Sequence, residues 1–151
     1  MTMTVSGIGE LKSLAGKDLG RTGWREVTQS QVDTFADATD DHQWIHVDPV
    51  RAAEGPFGGT IAHGYLTLSL VIPFLSELLA VEGISMAVNY GLNRVRFPAP
   101  VPVGATIRAT GRVGTVEDVP DGVQVTIDFT VEVSGVDKPA CVAQAVYRYY
   151  A

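Results

Sequence analysis

A chain of 151 residues, 46% apolar and 19% charged, is long enough to bury one core and too short for two comfortable ones, and no low-complexity tract marks it as disordered. Its formal net charge of −6 works against non-specific attraction to nucleic acid, which draws on clustered Lys and Arg. The single cysteine, Cys141, forms no internal disulfide, and residues 1–20 lack the basic-then-apolar order of a secretory signal, so a reducing cytoplasm is the expected setting.

Residues 1–20 mix Gly, Lys, Ser and Leu without sustained periodicity, which predicts a loosely held arm, and residues 20–27 predict a short edge strand around Trp24. Ser30 is the expected N-cap of a helix whose Val32, Phe35, Ala36 and Thr39 share one face, ending near Thr39 or Asp40. Residues 40–60 show no period beyond a turn of helix after Pro49, over 50–53; a long irregular segment inside a compact domain is often functional.

From Ile61 to Ala80 the pattern becomes helical and apolar nearly all round, as for a helix enclosed by a sheet. Pro73 should kink it, because it cannot donate to the Ser69 carbonyl. Thr67, Ser69, Ser76 and Glu77 leave the stretch too polar, and it is too short, to span a bilayer. After Gly83 four strands are expected, over 86–97, 105–116, 123–133 and 141–150. The clearest alternation turns Val123, Val125, Ile127, Phe129, Val131 and Val133 inward and their polar neighbours outward. The order of elements gives an α+β fold, an antiparallel sheet curling around a long central helix.

All three histidines, His42, His46 and His63, fall in the irregular segment or at the start of the apolar helix, near Asp40, Asp41 and Asp48. An Asp and a His five positions apart are, by themselves, most often an ordinary surface pair. Here they stand within Phe35-Ala36-Asp37-Ala38-Thr39-Asp40-Asp41-His42-Gln43-Trp44-Ile45-His46-Val47-Asp48, which resembles the hydratase 2 motif of MaoC-like (R)-specific enoyl-CoA hydratases. In that motif an Asp precedes a His by five positions, which carries the roles to Asp41 and His46 rather than to Asp40. Ile61-Ala62-His63-Gly64-Tyr65-Leu66 is similar to the family's His-Gly pair, which opens the central helix of its hot-dog fold. These motifs cover about residues 35–66, and the order of elements matches from about Trp24 to Tyr150. Two positions depart from the pattern: the family usually has Asn then Pro where this chain has Gln43 then Trp44. Gln43 keeps the amide one carbon further out; Trp44 gives up a fixed φ and is expected either to reshape the pocket or to place an aromatic wall beside an acyl chain.

The resemblance implies a single hot-dog domain that forms a homodimer and acts reversibly on trans-2-enoyl-CoA and (3R)-hydroxyacyl-CoA. It implies no metal and no redox cofactor, the substrate itself carrying coenzyme A. Such hydration needs water activated for attack on C3, charge stabilised on the thioester oxygen and a proton delivered to C2. Asp41 and His46 together would hold the water and move the proton, with acid and base roles left to the pair. The backbone N–H of Gly64 would meet the thioester oxygen, with His63 as a positioning residue and Gln43 on the substrate side. His42 and His46, four apart, with His63 or Asp48 resemble zinc spacing, but neither an HExxH motif nor paired cysteines accompany them. Arg94, Arg96, Arg108, Arg112 and Arg148 are available to coenzyme phosphates, although each alone reads as a solvated cation. Three other functions share the fold: a dehydratase acting on acyl carrier protein substrates, a thioesterase, and a thioester-binding subunit without turnover.

Overall fold

In the computed structural model, which describes residues 1–151, the chain opens with strand β1 (Met3–Ser6) and helix α1 (Gly7–Lys12). The start of the chain is not the loosely held arm that its missing periodicity predicts. β1 pairs in parallel with β4 (Leu79–Glu82), and Leu11, Leu14 and Leu19 are buried in the main core. Burying a leucine contributes about 1.5–3 kcal/mol, and leucines on short, irregular elements do so without leaving a period to read.

The strand expected around Trp24 is two pieces, β2 (Asp18–Arg21) and β3 (Arg25–Glu26), both antiparallel to β6 (Thr106–Val119). Helix α2 (Gln29–Thr39) starts two residues earlier than expected. Its cap is Thr28, whose extended backbone lets the hydroxyl accept the Gln31 N–H at 3.1 Å, and Ser30 lies inside the first turn. The helix stops at Thr39 because Asp40 adopts a left-handed φ of 57°. The irregular segment then holds two short helices, α3 (Trp44–Val47) and α4 (Pro49–Ala53). Asp48 caps the second by accepting the Arg51 N–H, and Pro49 occupies the first position, where no N–H is needed.

The central helix is α5 (Gly64–Ser69) followed by α6 (Val71–Leu78), interrupted at Leu70. The interruption sits beside Ser69, whose carbonyl Pro73 cannot serve. Val71, Phe74, Leu75 and Leu78 bury one face of α6 against the sheet. That sheet has the order β2-β6-β7-β8-β5, all antiparallel, with β5 (Met86–Arg96), β7 (Gly122–Val133) and β8 (Cys141–Tyr150) completing it. Every second residue of β7 from Val123 to Val133 is buried, as the alternation predicts. β5 differs from its neighbours: it pairs with β8 alone and leaves Met86, Val88, Tyr90 and Leu92 exposed. The result is the expected α+β layout, a sheet folded around a helix, and no helix is long and apolar enough to cross a membrane.

Candidate active site

His46 reaches the interior from α3, a helix of one turn held at both sides by main chain. Its own N–H donates to the Gln43 carbonyl at 3.0 Å, and the Ile61 N–H donates to Ile45 at 2.9 Å. The imidazole is 7% exposed, and its Nδ1–H donates to the Ile61 carbonyl at 2.7 Å. That bond fixes the tautomer and leaves Nε2 with a free lone pair. Burial lowers the His46 pKa below 6.5; the Ile61 bond opposes this, neighbouring His63 adds to it, and Asp41 opposes it. His46 is therefore neutral at pH 7.

His63 is the residue before α5, is buried, and donates its Nε2–H to the main-chain carbonyl of Asp41 at 2.9 Å. Its ring stacks on His46 with centroids 3.9 Å apart and planes 23° from parallel, while Phe35 of α2 packs on it at 4.8 Å. Asp41 follows the left-handed Asp40, so the reversal that ends α2 turns Asp41, not Asp40, toward the histidines. One oxygen of Asp41 and one nitrogen each of His46 and His63 lie within 4.8 Å of one another. Two acceptors that share one water stand about 4.5 Å apart, so this spacing suits a bridging water. The same three groups have the residue types and spacing that a cation could also use.

Gly64 opens α5, and its N–H has no hydrogen-bond acceptor. It lines a cavity of about 320 Å³ together with His46, Phe57, Thr67, Phe97 and Val101. A Cβ at residue 64 would stand 3.2 Å from the Phe97 ring, so glycine lets that ring pack against the start of α5 without moving.

Other residues singled out in the sequence lie elsewhere. Gln43 is exposed, lines no part of this cavity, and meets His46 only through its main-chain carbonyl. His42 is exposed and bonded to Asp37 at 2.9 Å. Trp44 is not the aromatic wall expected of it. Its ring is covered by the Arg51 guanidinium, 4.3 Å from the centroid, and meets the backbone of Gly55, where a Cβ would stand 2.9 Å from the indole. Trp44 thus closes α3 onto α4. Arg108 is committed to Glu132 and Trp24, and Arg148 to Gln124 and Tyr90, which leaves Arg112 exposed on β6 and Arg94 and Arg96 exposed on β5 ahead of Phe97. One residue that no motif marks, Gln29, bonds to the main chain of His46 and to Thr60. Its partners are remote in sequence, so no local signal exposes it.

Comparison with known proteins places these features in company. A family model described as the MaoC-like domain matches residues 10–134. The 3-hydroxyacyl-thioester dehydratase Z of Mycobacterium tuberculosis is 54% identical over 149 residues, 98% of this chain and 99% of that protein. Among solved structures, an Archaeoglobus protein described as a monoamine oxidase regulatory protein superposes with a TM-score of 0.78 at 26% identity, covering 99% of this chain and 97% of that one. An (R)-hydratase from A. caviae involved in PHA biosynthesis superposes with a TM-score of 0.72 at 26% identity, over 88% of this chain and 94% of that one. The sheet wrapped around α5 and α6 is the hot-dog fold.

Proposed function

Because this chain belongs to the MaoC-like domain family, we propose that it catalyses the reversible hydration of trans-2-enoyl-CoA to (3R)-hydroxyacyl-CoA. The observation that carries this assignment is the approach of the exposed Asp41 carboxylate to a neutral, tautomer-fixed His46, which lines the same cavity as Gly64 and its unpartnered N–H.

A water held between Asp41 and His46 Nε2 gives up one proton to the pair as its oxygen attacks C3. The C2=C3 π pair becomes the C2–H bond when the pair returns that proton, so nothing is oxidised or reduced and the step balances without a redox group. Enolate charge on the thioester oxygen is met by the Gly64 N–H, a type of contact typically worth about 3–4 kcal/mol in the transition state. His63 keeps the pair together, stacked on one ring and bonded to the other residue's main chain. Dehydration is the same path reversed, the direction named for the Mycobacterium tuberculosis relative. That relative is named for a thioester without a carrier, which keeps acyl carrier protein substrates as the second reading.

The protein works as a homodimer joined through β5. An eleven-residue edge strand with exposed apolar side chains and unpaired main-chain groups is a surface that a second copy covers by symmetry.

The test follows loss of the enoyl-thioester absorbance with crotonyl-CoA and a longer trans-2-enoyl-CoA, assigns product configuration, and assays free thiol in parallel. Asp41→Asn and His46→Gln should each lower kcat by roughly 10²–10⁴-fold, the usual contribution of positioned acid-base groups. Release of thiol without a hydroxyacyl product would make the protein a thioesterase. Turnover of carrier-protein substrates alone would move the assignment to the second reading, and no turnover of either by folded protein would leave a binding subunit.

A further inference from the structure

We propose that Gln29, in the first turn of α2, is a positioning residue that fixes the place and tautomer of His46; the proposal rests on the hydration chemistry above for its kinetic consequence.

The Gln29 amide makes three bonds at once. Its Nε2 donates to the His46 main-chain carbonyl at 2.8 Å and to Asp33 Oδ1 at 2.9 Å, and its Oε1 accepts from the Thr60 hydroxyl at 2.7 Å. The carbonyl and the carboxylate can only accept, so the amide has a single orientation and the Thr60 hydroxyl must be the donor to it. Thr60 is 9% exposed, and Gln29 is the only partner its hydroxyl has.

These contacts straddle the two segments that define the His46 imidazole. One segment is α3, which carries His46. The other is the stretch after Thr60, where Ile61 supplies the carbonyl that holds Nδ1–H. Gln29 ties both to the same side chain, 17 and 31 residues away along the chain. All three of its amide bonds go to protein groups, and it lines no part of the cavity beside His46, so its effect on the chemistry runs through His46. Asp33, one turn along α2, holds the remaining amide hydrogen and keeps Gln29 in the rotamer that reaches both segments. A small displacement of a catalytic group has a large kinetic effect, since reacting atoms must sit within a few tenths of an ångström of the productive geometry.

The experiment compares parent protein with Gln29→Leu, Gln29→Glu and Thr60→Val, by steady-state hydration kinetics and by ¹⁵N–¹H NMR of the histidine rings. Gln29→Glu keeps the acceptor for Thr60 but has no donor for the His46 carbonyl; Thr60→Val loses only the second tie. In the parent, His46 should appear as the Nδ1–H tautomer with a slowly exchanging proton. Gln29→Leu and Gln29→Glu should lower kcat about tenfold with KM within about twofold, and should mix the His46 tautomers or speed exchange of that proton. Thr60→Val should fall between. Folded variants with kcat within about twofold of the parent and unchanged His46 signals would overturn the proposal. So would a loss of kcat with those signals intact, which would put Gln29's effect elsewhere. Should Gln29→Leu fail to fold, the other two variants decide on the same readouts. If the parent hydrates no enoyl thioester, the assigned reaction fails, while the tautomer and exchange data still decide whether Gln29 holds His46.

Discussion

His46 is held between opposing influences. Burial and the neighbouring His63 favour its neutral form, whereas the Ile61 carbonyl and Asp41 favour the charged one, and burial is the largest of the four. Protonation is therefore harder in the folded chain than in the unfolded chain, where the pKa is 6.5. As pH falls below 6.5 the unfolded state takes up the proton first, so the stability that His46 contributes is complete above that pH and lost as pH drops toward its folded value. Thermal melts from pH 8 to pH 5 should show a steeper acid decline for the parent than for His46→Gln; equal slopes would mean that His46 titrates as freely folded as unfolded. Asp41, His46 and His63 were legible together because the Asp-to-His spacing and the His-Gly pair resemble a known motif. Gln29 was not, since its role arises from hydrogen bonds between segments that only folding brings together. Both buried histidines are fixed by main-chain carbonyls, of Ile61 and of Asp41. Side-chain replacement at residue 61 therefore leaves the His46 bond available, whereas Ile61→Pro removes the N–H that ties this segment to Ile45.

Among the elements, α5 and the segment just past β5 meet at the cavity beside His46. Phe97, just past β5, lies against Gly64 at the first position of α5, where the backbone N–H is free. Gly64→Ala puts a methyl group 3.2 Å from the Phe97 ring, which must move by a few tenths of an ångström. It should cost about 1 kcal/mol of stability as a mild overpacking, and roughly tenfold in kcat/KM as the donor and ring part. Kinetics and melting on the same preparation separate the two effects, and unchanged kcat/KM would mean that Phe97 yields without displacing the Gly64 N–H. The long strands β6, β7 and β8 could be read from the sequence because burial on one face writes a period of two over ten or more residues. β1 and β4 could not, because four-residue strands paired in parallel across 76 positions leave too short a pattern. The cap of α2 was missed for a related reason: Thr28 and Ser30 are both good capping residues, and only the backbone turn decides between them. Trp44 was misplaced because the space it fills is set by Gly55 and Arg51, eleven and seven residues on.

At the scale of the whole molecule, the sheet wraps α5 and α6, and β5 is the edge that carries a run of exposed apolar side chains. Val88→Lys with Leu92→Lys would set like charges on that edge in both copies, and should convert a dimer to a monomer in analytical ultracentrifugation. A parent that sediments as a monomer at assay concentrations would remove the dimer from the proposal. β5 also leads, through Arg94 and Arg96, directly to Phe97 and so to the wall of the cavity. Whatever steadies this edge steadies the ring that packs against Gly64. With the proposed pairing of two copies through β5, mass action would make occupancy of the cavity and pairing of the edges support each other. Specific activity should consequently fall on serial dilution of the enzyme, and saturating thioester should move that fall to lower protein concentration.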